Sequence, residues 1–174
     1  MMKRQSMRLV GIYAVAAALS VYACASSPER HGATALSIAA DAGAPVGAPP
    51  GAVDIVVTYD VESTVALADA GPQGWFDSGR TLPTASVRSP DAYSFEIVAG
   101  EATSQRLVYR SRPEAVFAFA RASDGKGGET YRVWSWAKDP DRFRAPGLVE
   151  GWFSEPPKSI DVRFKSDGIT VEAR

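Results

Sequence analysis

From residue 92 onward the chain alternates apolar and polar residues with a period of two, and this limits its fold more than any other feature. Tyr93, Phe95 and Ile97 fall on one side of an extended backbone, with Ser94 and Glu96 on the other. That is the pattern of a strand with one buried face. Ile160, Val162 and Phe164 alternate in the same way with Asp161, Arg163 and Lys165. Asp167-Gly168 then supplies a tight turn, and Ile169 and Val171 face back, so this stretch reads as a hairpin.

Other strands follow from the same reasoning. Thr103 to Tyr109 is one, after the Ala99-Gly100-Glu101 turn. Ala115 to Arg121 is apolar on both faces, as expected of a central strand. The Asp124-Gly-Lys-Gly-Gly128 loop joins it to a strand over Thr130–Ala137. Nearer the N-terminus, Leu36–Ala40 alternates briefly and Val53–Tyr59 is strongly β-branched. Between them, Asp41 to Ala52 is a Gly/Ala/Pro loop that excludes helix and central strand. Glu62 to Gly71 has helical character, which Gly71-Pro72 is expected to stop. Gly74 to Gly79 is ambiguous, and Lys138 to Lys158, broken by Pro and charge, reads as an ordered excursion. About eight short strands with one short helical insert predict an all-β antiparallel β-sandwich.

The N-terminus carries a different signal. Lys3, Arg4 and Arg8 precede an apolar run from Leu9 to Val21, and Ala23 supplies a small residue before Cys24, the one cysteine of the chain. These are the three regions of an export signal. The run is short for a hydrocarbon core of ~30 Å. Val21-Tyr22-Ala23-Cys24 looks like the lipobox of a bacterial lipoprotein, in which the Cys is acylated and becomes the first mature residue. The alternative is an ordinary secreted protein cut near Ala23 or Ala25. More than one acyl chain gives stable attachment. Ala25, Ser26 and Ser27 follow, with no Asp at the second mature position, which resembles a lipoprotein sorted to the outer membrane, facing the periplasm. No second Cys exists to form a disulfide. The expected division is therefore residues 1–23 as signal peptide, 24–34 as acylated Cys and tether, and 35–174 as one β-sandwich domain. Taking Lys3, Arg4 and Arg8 from the 19 basic residues leaves 16 against 20 acidic ones, a mature net charge of −4. That balance argues against a nucleic-acid partner.

Little in the chain suggests catalysis. His31 is the only histidine and falls in the tether, where no packing or supporting partner would hold it for a nucleophilic triad. Asp139, Asp141 and Glu150 share a loop, but their spacing matches no calcium motif. Glu150 and Glu155 beside Trp152 form the sort of carboxylate pair that glycoside hydrolysis uses, and any β-rich domain offers such pairs by chance. We expect no enzyme activity, no metal and no cofactor beyond the covalent lipid. Trp134 and Trp136 share one face of a strand, opposite Tyr131, Val133 and Ser135. The Trp row is expected to pack under the 138–158 excursion. Exposed, it would instead stack on sugars.

In order, these features resemble the outer-membrane lipoprotein family of the type VI secretion system, TssJ (SciN). Its members begin with a lipobox, then a strand, a Gly/Pro loop and a β-branched strand ending near Tyr, here Leu36–Ala40, Asp41–Ala52 and Val53–Tyr59. A helical insert (Glu62–Phe76), a strand with an Ala-Gly-Glu turn (Tyr93–Glu101), an apolar strand (Ala115–Arg121), an aromatic-Arg strand (Tyr131-Arg132) and a final hairpin complete the pattern. The family loop usually carries an Asn/Asp-Pro pair, whereas this one is Ala/Pro-rich; Tyr131 stands where the family has Trp; and Lys138–Lys158 is longer than the usual connection. The resemblance implies a transthyretin-like sandwich that anchors the secretion membrane complex by binding the periplasmic domain of the inner-membrane TssM (IcmF-like) component. A cell-wall or polysaccharide-binding lipoprotein is the other reading.

The loop formed by Asp41, Ala42, Gly43, Ala44, Pro45, Val46, Gly47, Ala48, Pro49, Pro50 and Gly51 is the expected partner-binding element. It joins two early strands and so protrudes from one end, where sandwiches commonly place binding loops. Its prolines reduce the entropy lost on docking. Its family counterpart contacts TssM, as the resemblance implies.

Overall fold

The computed structural model describes residues 32–46, 50–82, 89–124, 126–139 and 155–174. Among the described residues the strands are β1 (Ala33–Ala40), β2 (Gly51–Thr58), β3 (Asp91–Ile97), β4 (Ala102–Val108), β5 (Ala115–Ser123), β6 (Glu129–Ala137), β7 (Ser159–Lys165) and β8 (Gly168–Ala173), with one helix, α1 (Val61–Asp77), after β2. They form two four-stranded sheets, ordered β4-β1-β7-β8 and β3-β2-β5-β6. The sheets pack face to face around Leu36, Ile38, Val53, Ile55, Val116, Ala118, Ile160, Val162 and Phe164. The β-sandwich read from the alternation is therefore the observed architecture.

One pair departs from the antiparallel expectation. β1 and β7 pair in parallel, Leu36 opposite Ile160 and Ile38 opposite Val162. A tight hairpin can join only antiparallel neighbours. These two strands are far apart in sequence, so no turn dictates their relative direction.

A second core lies outside the sandwich. Leu67, Trp75 and Phe76 of α1 cover Ala52, Val56, Phe117 and Phe119. β2 and β5 are consequently buried on both faces, which explains the apolar run 115–120. The helix does not stop at Gly71. It kinks there, at φ 63°, and resumes from Pro72 to Asp77. Pro suits the first position of a helical segment, where no backbone N–H is needed. Burial of Trp75 and Phe76 repays the second segment. At the other end Asp60 caps the helix, its Oδ1 accepting from the Ser63 amide at 2.7 Å.

Three further expectations change. The tether ends sooner, because β1 begins at Ala33 and Thr34 is buried, its hydroxyl donating to the Pro157 carbonyl at 2.5 Å. Gly51 and Ala52 belong to central strand β2, not to the loop. Trp134 and Trp136 face the core between the sheets and are 5 % and 1 % exposed. Tyr131 and Val133, on the other face of β6, pack toward α1. The terminal hairpin forms as expected, with Phe164 opposite Ile169 and Gly168 at φ 141°.

Candidate functional site at the loop end of the sandwich

Strand direction gives the domain two unlike ends. β1 begins where the N-terminal segment enters, at Ala33, and ends at Ala40. β7 runs parallel to it, while β2 and β5 are antiparallel, with Ala52 opposite Arg121. Four connections therefore gather at the far end: residues 41–50, 98–101, 124–128 and 166–167. The entry end holds the start of α1 and the C-terminal residue Arg174, whose carbonyl accepts from Ser159. Eight residues of β1 separate the two ends, ~26 Å at a strand's rise per residue.

The 41–50 connection is anchored from below. The Asp41 amide donates to the Phe164 carbonyl and the Ala44 amide to the Asp41 carbonyl, both at 2.9 Å. The Val46 carbonyl accepts from the Ala99 amide at 2.9 Å. Ala44 and Val46 are buried in the inter-sheet core. Gly51 lets this plug close, because a Cβ there would lie 2.8 Å from a Val46 methyl and 3.0 Å from the Phe164 ring. Of the expected binding residues, Ala44, Val46 and Gly51 are thus core and not surface. Asp41, Ala42 and Gly43 are exposed, Pro45 and Pro50 half-buried, and Gly47, Ala48 and Pro49 lie outside the described residues. Val46, the loop's only branched apolar residue, was the available signal.

The neighbouring turns complete a polar rim. Pro45, Asp124, Arg132, Ser166 and Asp167 line a shallow groove between the loop and the two hairpins. Asp124 is fully exposed and accepts from the amides of Lys126 at 2.7 Å and Gly128 at 2.8 Å. These bonds favour the anion and hold its carboxyl below the ordinary value. The Glu129 carboxylate accepts a hydrogen bond from Tyr131, which pushes that phenol up to about 12. Arg121 pairs with Glu129 at 3.5 Å and lies over the Phe76 ring, 4.9 Å from its centroid. Glu101 folds back on its own turn, accepting from the Val98 amide at 3.2 Å. Much of the rim's charge is thus committed to holding turns, and Asp41, Ala42 and Gly43 are the exposed residues that the 41–50 loop adds to it among the described residues.

Cys24, His31, Asp141, Glu150 and Trp152 lie outside the described residues. Among the described residues, no group of three or more His, Cys, Asp or Glu side chains is placed to hold a metal ion.

The sequence reading missed one buried polar cluster. Asp54, on the helix-facing side of β2, is 0 % exposed. Its Oδ2 accepts from the Trp75 indole N–H at 2.7 Å and pairs with Arg80 Nε at 2.9 Å, while Oδ1 has no partner among the described residues. Arg80 has φ 65°, the one positive value outside glycine among the described residues. The signal was an Asp in a β-branched run, where Asp is disfavoured. At the entry end, Tyr59 donates to Asp91 Oδ2 at 2.5 Å beneath the Arg110 guanidinium, which lies 4.4 Å from its ring centroid. Burial first, then the Asp91 hydrogen bond, raises the Tyr59 phenol well above its ordinary value.

No family model and no curated protein matches the sequence. Solved structures match it in fold alone. The type VI secretion lipoprotein TssJ1 of Pseudomonas aeruginosa is 12 % identical over 82 % of this chain and 95 % of its own, with a TM-score of 0.42. Lip of Serratia marcescens, a membrane-bound component of the type VI secretion system, is 11 % identical over 82 % of this chain and 98 % of its own, with a TM-score of 0.44. A chain from the structure described as the TssM C-terminal domain of EAEC is 11 % identical over 80 % of this chain and 97 % of its own, with a TM-score of 0.45.

Proposed function

We propose that this chain is a non-catalytic, lipid-anchored assembly protein of the type VI secretion membrane complex, at the periplasmic face of the outer membrane. In this reading residues 1–23 direct export and are removed. Acyl chains on Cys24 hold the protein on the membrane, and the segment to Gly32 tethers the sandwich. The loop end captures the periplasmic domain of a TssM-like inner-membrane component.

The polarity of the fold carries the reading. The tether enters at Ala33, and the four connections, with exposed Asp41, Ala42 and Gly43, gather at the opposite end. A surface standing a strand's length from its anchor is placed to meet a partner arriving from the inner membrane. The export signal, the lipobox and the ordered likeness of motifs to TssJ support it from the sequence. The glycan-binding alternative loses its Trp134/Trp136 row, since both are core.

Site-specific photocrosslinking in the envelope tests the proposal. A photoreactive residue at Ala42 should give an adduct with the TssM-like component, and one at exposed Val65 on α1 should not. An adduct from Val65 but not Ala42 would move the interface off the loop end. Adducts only with peptidoglycan would replace the reading.

A further inference from the structure

The two long sides of the sandwich close differently. On one, edge strands β6 and β8 lie against each other, and Arg132 Nε donates to the Ile169 carbonyl at 3.3 Å. On the other, edge strands β3 and β4 are linked by the 98–101 turn and by the Tyr93 hydroxyl, which donates to the Val108 carbonyl at 3.4 Å. Between them the core is partly open. Thr103 and Gln105 share the inward side of β4 with buried Leu107, opposite Ile38 and Leu36, yet both are exposed. Tyr93 and Phe95 face the core from β3 and are only partly buried.

From Ala102 to Arg106, β4 also has a main-chain edge that pairs with no strand among the described residues. The Tyr109 amide donates to Gly32 and the Ala40 amide to Glu101, which fixes the phase of the β1–β4 ladder. Alternation from there turns the amides of Thr103, Gln105 and Leu107 toward β1 and those of Ser104 and Arg106 outward. The register runs without a break from Ala102 to Val108, so no bulge interrupts it. The strand has no Pro, no Lys and no inward-pointing charge, the devices by which exposed edges avoid pairing. Arg106 lies near its middle, exposed and without an ion-pair partner among the described residues.

We propose that the β4 edge is a second docking surface, taking an extended acidic segment of another protein by strand addition. Main-chain bonds to Ser104 and Arg106 would hold the segment. Its apolar side chains, at every second position, would cover Tyr93 and Phe95, and a carboxylate on its outer side would meet Arg106. A second copy fits less well. Antiparallel self-pairing would point the two tethers in opposite directions, away from a shared membrane.

The test uses the purified chain and three capped nonapeptides of alternating Thr and Val. One carries Glu at its central Thr position, one carries Lys there, and one is the Glu peptide N-methylated on alternate amides. The Glu peptide should slow exchange of the Ser104 and Arg106 amides by about tenfold or more and leave β6 and β8 unchanged. It should bind about fivefold tighter than the Lys peptide, and Arg106→Glu should invert that order. The N-methylated peptide should not bind. Ser104→Pro, which removes an outward amide and not one bonded to β1, should abolish binding with the fold intact. Four results would overturn the proposal: no binding of the Glu peptide at millimolar concentration, equal binding of the N-methylated peptide, amides already protected in the free chain, or protection that rises with protein concentration alone. The last would assign the edge to a second copy.

Discussion

The Asp54–Arg80 pair offers the sharpest test of how the helix layer is held. Arg80→Ala leaves a fully buried carboxylate with the Trp75 indole as its remaining partner at Oδ2. Stripping one partner from a fully buried pair costs about 3–5 kcal/mol. The Arg80 side chain is 34 % exposed, so water screens its end of the interaction, and the expected loss is about 2–3 kcal/mol. Arg80→Gly removes the same side chain but relieves a left-handed backbone at φ 65°, a strain of about 1–2 kcal/mol in a residue with a Cβ. The glycine variant should therefore be more stable than the alanine variant by about 1 kcal/mol. Asp54→Asn keeps an acceptor for the indole and removes the charge. In that background Arg80→Ala should cost less than about 1 kcal/mol, a coupling of about 1–2 kcal/mol. Urea unfolding with unchanged m-values reads all four variants. Additive losses would mean that the carboxylate is hydrated, and the reasoning would fail. An alanine variant as stable as the glycine variant would refute the strained backbone.

Other predictions concern the loop plug, the phenol and the anchor. Gly51→Ala forces a methyl against Val46 and Phe164 and should cost about 1–3 kcal/mol as overpacking, whereas Phe164→Ala should cost about 3–5 kcal/mol as a cavity, both read by thermal unfolding. The raised Tyr59 phenol keeps its proton in the folded state above pH 10.0, its unfolded value, where the unfolded chain loses it. Its contribution is thus complete below pH 10.0 and declines as pH rises above it, so the Tyr59→Phe variant should lose less stability than the parent across that window, measured by denaturant midpoints. Cys24→Ser should move the protein from the membrane to the soluble periplasmic fraction, and unchanged membrane association would refute acylation there.

The legible part of this fold was the part set by local periodicity. Each period-two stretch became a strand, and the double-sided apolar run of β5 lies between β2 and β6. What escaped was tertiary. Nothing local makes β1 and β7 parallel neighbours, since the long excursion between β6 and β7 fixes no direction. Gly71-Pro72 reads as a helix end, and only the burial of Trp75 and Phe76 against β5 carries the helix past it. The Trp134/Trp136 row and the Tyr131/Val133 row were distinguishable as two faces, but which face met the other sheet depended on where α1 docked. The same holds for the site. The Gly/Ala/Pro composition marked a loop, yet that Ala44 and Val46 would plug the core depended on the gap left beside Gly51 and Phe164.

That distinction also sets the variant that tests the central claim most directly. Replacing the whole loop would remove the Val46 plug and confuse folding with binding. Asp41→Lys with Ala42→Glu and Gly43→Ser changes exposed residues alone, so circular dichroism and melting should match the parent. The measurement is the affinity of the purified chain for the isolated periplasmic domain of the TssM-like component. The account predicts that the parent binds and that the folded triple variant binds at least about tenfold more weakly, a loss of about 1.4 kcal/mol. Parent affinity in the folded variant would contradict it.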